Sequence, residues 1–180
     1  YLALQELIAR ECPAISETAL TIGQFCAGSA SNVIPETAVL QGTMRSFDEK
    51  TMSHLIARLN EIVPSVAGAY RTKAEIEVIS DIPIVRCNEE LNQEIVEGLK
   101  ELEPELKAVC AYHVMGSEDF AYISQKIPAS YMCIGAGIED VSKRYVEHNP
   151  KVRFHESALV KGAAIYAGTA MRWLDLHGNQ

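Results

Sequence analysis

Between Asp48 and Ala69 the apolar residues Met52, Leu55, Ile56, Leu59, Ile62, Val63 and Val66 return at i, i+3, i+4 and i+7, while Lys50, Arg58, Asn60 and Glu61 hold the other face. That period belongs to an α-helix packed along one side. Asp48 or Thr51 stands where an N-cap is needed, and Pro64 predicts a kink or an early end. The flanks narrow the fold further. Residues 18–26 alternate like a half-buried strand, 28–32 close it as a loop, and 37–47 are β-rich with Pro35 at the entry, where a strand tolerates proline. The short loop suggests an antiparallel pair. A helix over residues 1–11 precedes them, and the alternation of 73–80 predicts a further strand. Helix, strand, strand, helix, strand needs one leading strand to become a ferredoxin-like βαββαβ unit, with helices on one face of an antiparallel sheet.

The pattern then changes. After a crossing segment at 82–88, helix is expected over 89–102, short buried strands over 108–112 and 130–135, and a last helix over 159–174. Strands that alternate with helices mark an α/β unit with parallel strands. A boundary near 83–90 divides the chain into residues 1–84 and 85–180.

The chain has 180 residues, 48% hydrophobic and 22% charged, enough to bury a core. A net charge of −8 without any basic run argues against nucleic acid as a partner. No apolar run approaches the roughly eighteen residues needed to span a bilayer, and the first residues lack the basic flank of a signal peptide. The chain reads as soluble and cytoplasmic, with no membrane partner. Its five cysteines are widely spaced, contain no CxxC pair and lie among apolar neighbours, which fits reduced, buried thiols. Tyr1 begins inside an apolar-periodic segment with neither an initiator Met nor a cap, so the expectation is a piece of a longer protein.

Few residues are polar out of place. His148-Asn-Pro150 sets an imidazole in a proline-fixed turn ahead of the last helix, a setting suited to a metal ligand or to an ordinary surface histidine. Gly116-Ser-Glu-Asp119 follows an expected strand and opens a helix. Ser117 there is either an N-cap or part of a ligand loop, and His113, Glu118 and His148 are a conceivable metal set that no spacing requires. Asn32 and Arg45 do not belong to a core, and Arg45 shares a strand face with Thr43 and Phe47. It is either a solvated edge charge or a bidentate carboxylate binder. His54 reads as a surface histidine, and His177 has no visible role. No GxGxxG, P-loop, HExxH, GxSxG or CxxC motif occurs, which leaves dinucleotide, phosphate-loop and serine-nucleophile chemistry without support.

In order, Gly28-Ser-Ala-Ser-Asn32-Val-Ile-Pro35, Gly42-Thr-Met-Arg45-Ser-Phe47, Gly116-Ser-Glu-Asp119-Phe120-Ala and His148-Asn-Pro150 with Phe154-His-Glu156 resemble the dinuclear-zinc amidohydrolases. These include hippurate hydrolases, auxin-conjugate amidohydrolases, N-acetyl-diaminopimelate deacetylases and aminoacylase-like carboxypeptidases. The resemblance implies an α/β fold in which an α+β lid and dimerisation domain of βαββαβ type, here 1–84 without its first strand, is inserted into a zinc-peptidase-like catalytic domain. Only the C-terminal part of that domain, 85–180, is present. It implies hydrolysis of the amide bond of N-acyl amino acids by metal-activated water, and homodimerisation through the lid sheet. The implied cofactor is two divalent ions, zinc first, with manganese or cobalt as alternatives. By residue, it implies His148 as a metal ligand, Asn32 and Arg45 as lid residues holding the substrate's carboxylate and transition state, and Gly116 and Ser117 as a loop against substrate.

The resemblance also has departures. The family's other metal ligands, its glutamate general base and its lid histidine precede the present segment, so no catalytic base is expected in this chain and the piece alone is expected to be inactive. Position 155, usually acidic in the family, is His155. The rival reading is a non-enzymatic dimerisation or small-molecule-binding module. A ferredoxin-like regulatory domain binding amino acids would account for 1–84 but not for the His148 turn.

Overall fold

A computed structural model of the chain describes residues 1–109 and 113–178. It is an α/β arrangement of two compact units: residues 1–84 with 113–122, and residues 85–112 with 123–180. In the first, α1 (Leu2–Glu11) leads into β1 (Thr18–Ala27), which pairs antiparallel with β2 (Ala38–Ser46), and α2 (Glu49–Ala69) follows. In the second run α3 (Glu89–Leu102) and α5 (Ser157–His177), while the four-residue α4 (Ala121–Ser124) lies between them in sequence.

The first unit is built on a helix seam. Leu7 of α1 and Leu55 of α2 are both 0% exposed, and α2 also packs on β2 while α1 packs on β1. Across the same seam the Glu11 carboxylate receives Arg58 at 3.0 Å and His54 at 3.1 Å, two α2 residues one turn apart. Arg58 first and His54 second hold the Glu11 carboxyl below its ordinary range. Asp48 is the cap of α2, taking the Thr51 amide at 2.7 Å and its hydroxyl at 2.6 Å, contacts that likewise lower its pKa. Between the strands, a side chain at Gly42 would collide with the Thr21 carbonyl, so only glycine permits this approach beside the bulge at Ile22/Gln24.

The second unit rests on α3 against α5. Ile95, Leu99 and Ala129 are buried, and the bare face of Gly98 lies so close to Arg172 that an added Cβ would sit 2.6 Å from Cδ. Arg172 in turn reaches the Glu101 carboxylate at 3.2 Å and the Glu94 carbonyl at 3.3 Å. Asn88 caps α3 through its side chain.

Several expectations fail for identifiable reasons. Residues 73–80 and 130–135 carry no ladder, because alternation becomes a strand only beside a partner edge, and among the described residues the sheet has two strands. Near 130–135 there is instead a single bridge between Gly137 and Phe154. The strand expected at 108–112 falls partly outside the described residues. Helix α2 runs through Pro64 to Ala69 without a break. Pro64 is exposed, so water can take the carbonyl its missing N–H leaves free, and Ser65 donates its hydroxyl to the Glu61 carbonyl at 2.6 Å beside it. Among the described residues the cysteines are not buried: Cys26, Cys87 and Cys133 are exposed and Cys12 is half-buried, while Cys110 lies outside the described residues. His177 has a role after all, stacking on Trp173 at 4.9 Å and meeting Glu94 at 3.1 Å. No helix among the described residues is long and apolar enough to cross a membrane.

Candidate functional site

Arg45 lies one step from the end of β2, opposite Ala19. Side chains two apart on a strand share a face, and directly paired residues point the same way, so Glu17, Arg45 and Phe47 lie on one face of the sheet. The small Ala19 leaves that face open. Residues 113–117 occupy it: Arg45 Nη1 donates to the Met115 carbonyl at 2.5 Å and to Ser117 Oγ at 3.4 Å, and His113 Nδ1 lies 3.0 Å from the Glu17 carboxylate. Arg45 is half-buried while Ser117 and Gly116 are exposed, so a guanidinium with further donors to spare stands at an accessible surface. The structure thus brings Arg45, Gly116 and Ser117 together across some seventy residues of chain. Ser117 is not the expected cap. The helix begins only at Ala121, and Glu118 takes the Phe120 amide at 3.3 Å.

Asn32 is elsewhere. It is exposed in the loop that joins β1 to β2, beyond the Ala27–Ala38 pair, whereas Arg45 is near the ladder's other end. Seven residues of β2 separate the two ends, roughly 23 Å at the rise of a strand. The hairpin therefore holds the two expected substrate residues apart.

His148 lies in the second unit. It is exposed, with φ 66°, in a turn closed by the Asn149 amide on the Val146 carbonyl at 3.2 Å. Positive φ at the third position is what a type II turn requires, and a side chain held there is strained. Asn149 fixes the exit by accepting the Lys151 amide at 2.9 Å. Among the described residues no three His, Cys, Asp or Glu side chains converge as metal ligands, so the trio His113, Glu118 and His148 is not formed. These residues do not by themselves make a dinuclear donor set.

The link from His113 to Glu17 and to the Phe47 ring, 5.1 Å between centroids, escaped the sequence reading. The available signal was local: Glu17 immediately precedes the ladder, and Phe47 follows Arg45 on the same face.

The sequence profile of peptidase family M20/M25/M40 matches residues 7–172. The IAA-amino acid hydrolase ILR1-like 2 of Arabidopsis thaliana is 31% identical over 178 residues, covering 96% of this chain and 40% of its own length. The N-acetyl-L-cysteine deacetylase of Bacillus subtilis is 29% identical over 174 residues, again 96% of this chain and 40% of that protein. In structure, the YXEP protein of Bacillus subtilis, a dinuclear metal-binding peptidase of the M20 family, superposes with a TM-score of 0.75 at 24% identity, over 97% of this chain and 45% of that one. That likeness is one of fold. The chain spans about two fifths of the length of these curated relatives. With the profile running over nearly all of it, the chain belongs to peptidase family M20/M25/M40.

Proposed function

We propose that this chain supplies the carboxylate-holding part of a metal-dependent amidohydrolase that cleaves N-acyl amino acids. The observation that carries the reading is the Arg45 guanidinium, oriented by the Met115 carbonyl and Ser117 hydroxyl and still accessible. A planar guanidinium takes a free carboxylate by two parallel hydrogen bonds, and the carboxylate is what every N-acyl amino acid presents. The exposed Gly116 lets backbone approach a ligand beside it. Relatives named for hydrolysis of an amino acid conjugate and for N-deacetylation favour the same substrate class.

The cofactor proposed is divalent metal, zinc first, with His148 as this chain's one ligand. Its exposed, strained turn is the kind of position that function maintains against a conformational cost. The general base and remaining ligands are proposed to lie outside this chain, which alone is then inactive, and the location is cytoplasmic. Asn32 is the proposed donor to the developing oxyanion, a contribution of about 2.7–4 kcal/mol where such a donor has been removed elsewhere. Its separation from Arg45 favours a homodimer paired two-fold through the lid sheet, residues 1–84, so that each substrate meets Arg45 of one chain and Asn32 of the partner subunit.

The test uses a full-length protein carrying this chain, assayed on N-acetyl and longer N-acyl amino acids with and without chelator. Turnover that chelation abolishes and zinc restores is expected. Arg45→Ala and Asn32→Ala homodimers should each be inactive, and reassociating the two should regain activity because one site per mixed dimer is intact. Chelator-resistant turnover, or no recovery on mixing with mixed dimers demonstrably formed, would reject the respective parts.

A further inference from the structure

The lowest backbone bond linking the segments around the ladder runs from the Phe47 amide to the Glu17 carbonyl, at 3.4 Å. His113 touches both of those residues. Its Nδ1 lies 3.0 Å from a Glu17 carboxylate oxygen, and its ring packs on Phe47 at 5.1 Å and 35°. Two and four residues further along, the same segment presents the Met115 carbonyl and the Ser117 hydroxyl to Arg45. The result is a closed circuit on one sheet face: Glu17 to His113, along the backbone to Met115 and Ser117, across to Arg45, and back through Phe47.

We propose that His113 is a positioning residue for the Arg45 guanidinium. This deepens the reading of Arg45 as the carboxylate binder and rests on it for its functional consequence. The mechanism is mechanical. The carbonyl of Met115 and the hydroxyl of Ser117 can hold a guanidinium at one angle only while their own segment is fixed, and that segment has no helix or strand of its own until Ala121. The His113 contacts with Glu17 and Phe47 fix its leading end to the strand pair that carries Arg45. An arginine already seated loses less rotamer freedom when it takes a carboxylate, so the device favours substrate binding rather than bond cleavage. An exposed side-chain hydrogen bond and one ring contact together support an effect of roughly fivefold to tenfold.

The experiment has two arms. In the 180-residue chain, the Arg45 Nε–H resonance and the amide hydrogen exchange of residues 113–117 are compared for wild type, His113→Ala, Glu17→Ala and His113→Asn. The asparagine amide can donate to Glu17 from near the position of Nδ1. Exchange about fivefold faster and an Arg45 resonance moved toward that of a free guanidinium are expected for both alanine variants, with partial return in His113→Asn. An Arg45 resonance and loop exchange unchanged in folded His113→Ala or Glu17→Ala would overturn the proposal. In the full-length enzyme, His113→Ala should raise KM for an N-acetyl amino acid about fivefold or more and leave kcat in place, and a loss confined to kcat would also overturn it. The first arm needs no substrate, so failure of the amidohydrolase reading leaves it standing.

Discussion

Replacing Leu55 by alanine tests the helix seam on which the Arg45 strand is mounted. Leu55 is completely buried, and the substitution removes three carbon atoms' worth of apolar side chain. At about 0.8 kcal/mol per buried methylene, the transfer loss alone is about 2.4 kcal/mol. A residual cavity raises the total, and buried leucines cut to alanine have lost about 2.7–5.0 kcal/mol elsewhere. Among the described residues of this unit only Leu7 is an equally enclosed large side chain, and every other residue of α1 and α2 keeps some exposure, which leaves the seam room to settle inward and points to the lower end, about 3 kcal/mol. With a urea slope of about 2 kcal/mol/M, the unfolding midpoint followed by circular dichroism should fall by about 1.5 M. Leu159→Ala, at a site 75% exposed on α5, should leave it in place. A fall under about 0.3 M for Leu55→Ala, with the slope unchanged, would refute the assignment of the core to the α1–α2 seam.

Three further outcomes are expected. Gly42→Ala forces a methyl against the Thr21 carbonyl and should destabilise the sheet by about 1–3 kcal/mol, measured as a lowered thermal midpoint, whereas Gly23→Ala, with open space around it, should cost far less. The Glu11 and Asp48 carboxyls titrate lower in the folded chain than in the unfolded one, so near pH 4 the unfolded state binds more protons. Their stabilisation is complete above the ordinary carboxylate range and is lost as pH falls through the depressed values; acid titration of Glu11→Gln with Asp48→Asn should show a shallower decline than wild type. His148→Gly relieves the positive φ, so the isolated chain should be at least as stable as wild type by urea unfolding, while the full-length enzyme should lose bound metal on elemental analysis.

Local signals were legible where the physics is local. The period of α2, its Asp48 cap and the β-rich runs flanking the 28–37 loop each act through near neighbours, and the structure carries all of them. Residues 73–80 misled because alternation describes a side-chain pattern, while a strand also requires a second edge. The early end offered for α2 at Pro64 does not occur, because the cost of a proline depends on whether the freed carbonyl is exposed, which the sequence does not record. For the site, motif resemblance singled out Arg45 and Ser117, but their hydrogen bond spans seventy-two residues and follows from tertiary placement alone. The His113–Glu17 contact, ninety-six residues apart, carried no motif at all.

The exposed thiols make the chain a self-reporting molecule. Cys26 belongs to one compact unit, Cys87 and Cys133 to the other, and all three are open to solvent, whereas Cys12, just past the end of α1, is partly covered. A thiol-directed dye should therefore modify these three before Cys12, tagging each unit at a native position without any engineered residue. Slower labelling at Cys12 would then record how often the end of α1 comes away. The same exposure obliges anyone storing the protein in air to include a reductant, since accessible thiols on separate molecules join readily as disulfides.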